Sequence, residues 1–279
     1  MQVSRFMTRN PTTVAPEAPI GEAVKLMEEH GFRHLPVLRG DELAGLVSDR
    51  DVWLGTGGLS AEELGLGDDP NLPHVVGDIM RSPVIVVESH ERAAIAAQRM
   101  IEQRIGALPV LQGGDLIGIV TETNLVSAFH DLCRDPANAD ALDATTEEAM
   151  HSLVVTMSPS DTVAEAIKNC QDWRIRHIPV LEDEDLVGIV SDRDIRMAVG
   201  RAMVADAAAQ REGRVYVEDQ RVGDIMSSEV ITIEPTEMMS DAVPVMLQNR
   251  VSALPVSLEG MLMGIITRAD ILEHYGNVA

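Results

Sequence analysis

Residues that build covalent or metal-linked frameworks are nearly missing from this sequence. Only two cysteines occur, Cys133 and Cys170, in unrelated contexts; this excludes a disulfide framework and a C-x-x-C metal or redox site. A reducing cytoplasm is therefore the expected setting. Nowhere do about 18 apolar residues follow one another, and the opening MQVSRFMTRNPTTV has no apolar run of signal-peptide length. No membrane span is expected. Positive charge is also scarce: 22 Lys and Arg stand against 45 Asp and Glu, giving a net charge of −23, and lysine occurs only at Lys25 and Lys168. A field of that sign repels nucleic acid and anionic lipid, so neither is expected as a partner. No phosphate loop, nucleophile elbow or HExxH motif appears. The sequence thus offers no catalytic residue and no metal site, and the chain reads as a non-enzyme.

What is present is a repeat. With 279 residues, 45% of them hydrophobic, the chain can bury a core and form about two domains. Anchored on four LPV or IPV triplets, the segments 7–51, 80–124, 150–194 and 226–270 align without a gap. Four columns are invariant: Met7, Met80, Met150 and Met226; Ala23, Ala96, Ala166 and Ala242; Pro36, Pro109, Pro179 and Pro255; Gly45, Gly118, Gly188 and Gly264. Matching the Pro and Gly columns by chance has odds of roughly 10⁻⁷ to 10⁻⁸ at average usage.

Each copy reads as one α/β unit. Val84 to Val87, or Val230 to Ile233, is rich in β-branched residues and predicts a strand. The stripe Ile20, Ala23, Val24, Met27 has the spacing of one buried helix face, and the invariant Ala predicts close approach of helix to sheet. Leu35 to Leu38, the turn Gly40-Asp41-Glu42 and Leu43 to Val47 predict a hairpin, followed by a short helix from Ser48. Proline cannot donate to a ladder, so Pro36 and its equivalents are expected at an edge or a strand start. Pro244 falls inside the helix of the fourth copy and is expected to kink it or delay its start.

A segment of this size has too little core to stand alone, so the copies should pair. They also alternate. The first and third share Arg-His before the triplet and Ser-Asp-Arg-Asp after it; the second and fourth share Ala-Leu-Pro-Val and a preceding Val-Gly-Asp-Ile-Met. This order implies a duplicated two-copy module. The expected boundaries are 1–135 for a first pair (repeats 7–54 and 80–128), 136–148 for a linker, and 149–279 for a second pair (repeats 150–199 and 226–274).

The succession of apolar strand, amphipathic helix, h-P-V and then G-h-h-[S/T]-x-x-D before a helix resembles the CBS domain. The resemblance covers four whole copies. It implies βαββα-type units paired into two Bateman modules, arranged as a flat disc within one chain or through a homodimer. It further implies clefts for adenosine-containing ligands such as AMP, ADP, ATP or S-adenosylmethionine, no required cofactor, and a regulated protein partner. Carried over by column, the ribose-binding Asp falls on Asp51, Asp194 and Asp270, with Asn124 as the departure in the second copy. The phosphate-side hydroxyl falls on Ser48, Thr121, Ser191 and Thr267. Asn124 lacks the charge that makes a carboxylate the stronger acceptor.

Independently of any family, a hydroxyl just before a helix suits an anion, since unpaired N–H groups and the dipole end lie there. Arg33, His34 and Arg50 in the first copy, Arg174, Arg176, His177 and Arg193 in the third, and Arg250 and Arg268 in the fourth add a local basic collection; Thr13, Thr156 and Thr232 share one strand column that faces the motif in the family. The competing reading of Ser48-x-x-Asp51 and its equivalents is an ordinary capping box. Competing functions are an enzyme using the carboxylates at 49, 51, 192 and 194, and a ligand-free scaffold that recognises protein through the segments 55–75 and 197–221.

Overall fold

The computed structural model describes residues 1–56, 73–135, 143–205 and 220–278. Most of the segments 55–75 and 197–221, and residues 136–142 of the expected linker, lie outside them. The chain divides into two compact units, Met1–Leu125 and Val126–Ala279.

In the first unit, copy one comprises β1 (Thr8–Arg9), α1 (Ile20–His30), β2 (His34–Arg39), β3 (Glu42–Ser48) and α2 (Asp49–Thr56). Copy two comprises α3 (Val76–Ile79), β4 (Val87–Glu88), α4 (Ala93–Gln103), β5 (Ala107–Gln112), β6 (Asp115–Thr121) and α5 (Glu122–Cys133), whose last turns belong to the second unit. In that second unit, copy three has α6 (Thr146–Ala149), α7 (Val163–Asp172), β7 (His177–Glu182), β8 (Asp185–Ser191) and α8 (Asp192–Ala205). Copy four has α9 (Met239–Gln248), β9 (Ala253–Leu258), β10 (Met261–Thr267) and α10 (Arg268–Val278). The stripe Ile20, Ala23, Val24 and Met27 is the buried face of α1. All four column alanines are fully buried, which lets each helix lie close against its hairpin.

The expected first strand of each copy is mostly absent, for a topological reason. Its early part leaves for the other copy of the pair: Thr8 opposes Ile119, Arg81 opposes Leu46, His151 opposes Ile265, and Ser227 opposes Ile189. Its later part returns to its own hairpin, through Val87–Glu88 beside Val110–Leu111 and single bridges at Val14, Met157 and Ile233. A segment shared between two hairpins pairs fully with neither. The column prolines sit third in their strands rather than at the start, and Pro36, Pro179 and Pro255 lie on the edge strands β2, β7 and β9 as expected, whereas Pro109 lies on the internal strand β5. The carbonyls of Pro36, Pro179 and Pro255 accept only from these incoming bridge residues, so the missing N–H faces the sparsely paired side.

The exchange explains the Met and Gly columns together. The Met7 side chain lies over Gly118 and Met80 over Gly45, while Met226 covers Gly188 and Met150 covers Gly264. A Cβ on Gly118 would stand 2.6 Å from the Met7 sulfur and 2.9 Å from the Thr8 carbonyl oxygen. Only glycine admits the partner's backbone and thioether there. The turn ahead of each Met makes the same crossing. Val76 and Gly77 donate to Ala18 and Pro16; Val222 and Gly223 donate to Asp161 and Pro159.

Pro244 does not delay its helix: α9 begins at Met239, the column in which the other three helices begin, and runs through the proline. Proline leaves the carbonyl four residues earlier without its helical donor. That carbonyl belongs to Ser240, and the Nδ1–H of His130 bonds it at 2.8 Å. The adjacent Phe129 packs elsewhere, its ring 5.9 Å from those of His274 and Tyr275.

Gly264→Ala would place a methyl 2.8 Å from the backbone oxygen of His151, whereas the nearest neighbours at Gly188 are all Met226 side-chain atoms. Urea unfolding should therefore show a loss of about 2–3 kcal/mol for Gly264→Ala and a smaller one for Gly188→Ala. Equal losses at both positions would contradict the exchanged-segment packing.

Candidate functional site

The four hydroxyl-acid motifs stand at the N-termini of α2, α5, α8 and α10, each held by a side-chain cap that is reciprocal in copies one, two and three. In copy three the Ser191 N–H and Oγ donate to Asp194 Oδ2 at 2.9 and 2.6 Å, and the Asp194 N–H returns to Ser191 Oγ at 3.3 Å. Copy one repeats this with Ser48 and Asp51, and in copy four the Thr267 N–H and Oγ1 donate to Asp270 Oδ2. In copy two the Thr121 N–H and Oγ1 donate to Asn124 Oδ1 at 2.9 and 2.8 Å. Asn therefore makes the same cap as Asp, and the capping reading is correct in all four copies. In the three aspartates the cap uses one carboxylate oxygen and leaves the other, whereas Asn124 commits its single oxygen to the cap.

That second oxygen differs between copies. Asp51 Oδ1 accepts from Arg81 Nε at 2.9 Å, and Asp270 Oδ1 lies 2.9 Å from His151 Nε2. Both donors arrive on the segment exchanged from the other copy. Asp51 and Asp270 are buried, and withdrawal from water raises the Asp270 carboxyl above its ordinary value, against the opposing effect of Thr267 and His151.

The Arg-His doublets play another part. His34 opposes Ser48 and His177 opposes Ser191 in their hairpins, so each histidine stands beside its motif. Each also meets a small residue across the pair. A Cβ on Gly106 would lie 3.3 Å from His34 Cε1, and Ser252 Oγ lies 3.0 Å from His177 Nε2. Gly106 and Ser252 occupy the column of Arg33 and Arg176, so the alternation of copies is a fit of large against small at the pair centre. Arg33, Arg50, Arg176 and Arg193 are exposed. Arg174 and Arg250 terminate helices in the left-handed conformation, at φ 54° and 57°. Arg268 is buried, with Nη2 donating to the Val251 carbonyl at 2.8 Å.

Thr13 and Thr232 precede the bridge residues Val14 and Ile233. Thr156 lines a cavity of about 330 Å³ with Ser152, Val154, Met261, Leu262 and Met263, and no residue of the hydroxyl-acid motifs lines it. Arg81 and His151 were not legible as site residues. The signal available was their shared position, one residue after the invariant Met.

Paired, segment-exchanged α/β repeats with capped helix N-termini define a class of tandem-repeat α/β modules. A family model for the CBS domain matches residues 3–52, 76–131, 147–201 and 222–277, and the chain belongs to the CBS-domain family. Protein MJ1404 of Methanocaldococcus jannaschii is 27% identical over 99% of this chain, which spans 62% of that protein's length. A 33.4 kDa protein of the Thermofilum pendens ribosomal RNA operon is 29% identical across 100% of this chain and 91% of its own. The crystal structure of protein MJ1225 from Methanocaldococcus jannaschii shares the fold with a TM-score of 0.74 at 22% identity, covering 99% of this chain and 100% of that one. Among the described residues no helix is long and apolar enough to cross a membrane, and no group of His, Cys, Asp and Glu could hold a metal ion.

His177 carries a pH signature. Burial pushes it from 6.5 down to about 4, against the pull of Asp192. The unfolded chain therefore takes up a proton near pH 6.5 that the folded chain refuses until about pH 4. Stability should fall as pH drops through that window, by on the order of 2 kcal/mol. Denaturant titrations at pH 7 and pH 4.5 check this; His177→Gln should flatten the dependence, and an unchanged slope would dismiss the assignment.

Proposed function

We propose that the chain is a regulatory protein that takes an adenosine-containing ligand, such as AMP, ADP, ATP or S-adenosylmethionine, at the capped helix N-termini and signals occupancy to a protein partner. The observation that carries the reading is the fourfold cap. In each copy a hydroxyl and an Asp or Asn are fixed at a helix start by one side-chain oxygen, and each of the three aspartates has a second oxygen outside the cap. A carboxylate oxygen at a helix start, where the helix dipole favours negative charge, suits a ribose hydroxyl and a phosphate together. Ser48 with Asp51, Ser191 with Asp194, and Thr267 with Asp270 are assigned to the ligand, with Thr121 and Asn124 as the weaker set. Arg33, Arg50, Arg176 and Arg193 supply exposed positive charge, while His34, His177 and Arg268 shape the wall behind the caps. A ligand of this kind shifts the paired copies only through unequal affinity for their two arrangements. The reaction class is binding, without turnover.

Isothermal titration of the full chain with AMP, ATP and S-adenosylmethionine tests the reading. At least one should bind, and Asp194→Asn should weaken binding about tenfold or more, the step expected for losing a charge-assisted hydrogen bond. Asn124 shows that Asn preserves the cap, so such a loss reports on the ligand rather than on the helix. No heat and no thermal shift with any of the three would refute the proposal.

A further inference from the structure

The four equivalent caps differ at one point, and the difference comes from the other copy of each pair. The residue after the invariant Met is Thr8, Arg81, His151 or Ser227. Each lies antiparallel to the strand that leads into the partner's cap: Thr8 to Ile119, Arg81 to Leu46, His151 to Ile265, Ser227 to Ile189. Arg81 and His151 reach the outward carboxylate oxygens of Asp51 and Asp270 at 2.9 Å. Ser227 is short. Among the described residues, Asp194 accepts only from Ser191 and pairs with no cation. Thr8 likewise leaves Asn124 with only its cap bonds.

Resting on the adenosine-ligand reading above, we propose that the residue after the invariant Met sets which cleft fills. Arg81 and His151 act as internal competitors for the oxygen that a ribose hydroxyl would use, so the copy-three cleft at Asp194 and Ser227 binds first and most tightly. The chemistry is an exchange of donors on one oxygen. In copies one and four an incoming hydroxyl must displace a protein donor already bonded to the carboxylate, Arg81 with its full charge. In copy three the oxygen exchanges only water. Copy two offers an amide in place of a carboxylate, which is the poorer acceptor. The two pairs are thereby arranged oppositely: the occupied carboxylate belongs to the first member of one pair and the second member of the other.

The test is calorimetric titration with AMP, ADP, ATP and S-adenosylmethionine, with native mass spectrometry counting bound copies. All three substituted positions lie at the surface, Arg81 and His151 with 58% and 68% of their side chains exposed and Ser227 also exposed, and thermal unfolding checks that each variant folds. The wild-type chain should show one tight site. Ser227→Arg should weaken that site about tenfold, while Arg81→Ser and His151→Ser should each add a second site approaching the first in affinity. Unchanged tight binding in Ser227→Arg, or weaker binding in Arg81→Ser because the guanidinium grips phosphate, would overturn the competitor role and leave the sensor reading standing. Absence of binding to the wild type by all four ligands would remove both.

Discussion

A thioether laid over a glycine, four times, is the contact on which this protein depends. The invariant Met of each copy covers the invariant Gly of the other member of its pair, and the backbone beside it donates and accepts across the same boundary. Neither copy owns a complete sheet. Folding is consequently a property of the pair, in keeping with the small core that a single βαββα segment can bury. The same crossing delivers Thr8, Arg81, His151 and Ser227 to the partner's helix N-terminus. The device that stabilises the pair therefore also decides the chemistry at each cap.

The caps show why a structural and a binding role need not compete. A carboxylate has two oxygens, and the helix start uses one. Asn124 satisfies the cap as well as Asp does, so capping alone does not require a carboxylate at the other three positions. The leftover oxygen is where the copies diverge. Around it, His34 and His177 fill space opposite Gly106 and Ser252, which accounts for the alternation of the repeats by packing at the pair centre.

Legibility followed the range of the interaction. The helix stripe from Ile20 to Met27, the hairpin from Leu35 to Val47 and the helix start after Ser48 are local, and local spacing announces them. The first strand was misjudged because β-branched composition reports a taste for extended backbone, not which neighbour will pair with it. The delay expected at Pro244 failed for a similar reason. A helix with a missing donor is disfavoured in isolation, and His130, more than a hundred residues earlier in the chain, makes good the loss at Ser240. Arg268 looked like phosphate-binding charge from its neighbours in sequence, yet the fold buries it against the Val251 carbonyl.

Sequence by itself determined the fourfold repetition, the α/β character of each copy, the pairing of copies and the positions of the four caps, since all of these rest on periodicity and short-range spacing. Tertiary structure alone decided that the leading segments exchange, that Met answers Gly, and that Arg81 and His151 occupy two of the carboxylates. Those outcomes arise from contacts between residues far apart along the chain. Spacing carries no record of such contacts until the backbone has brought the residues together.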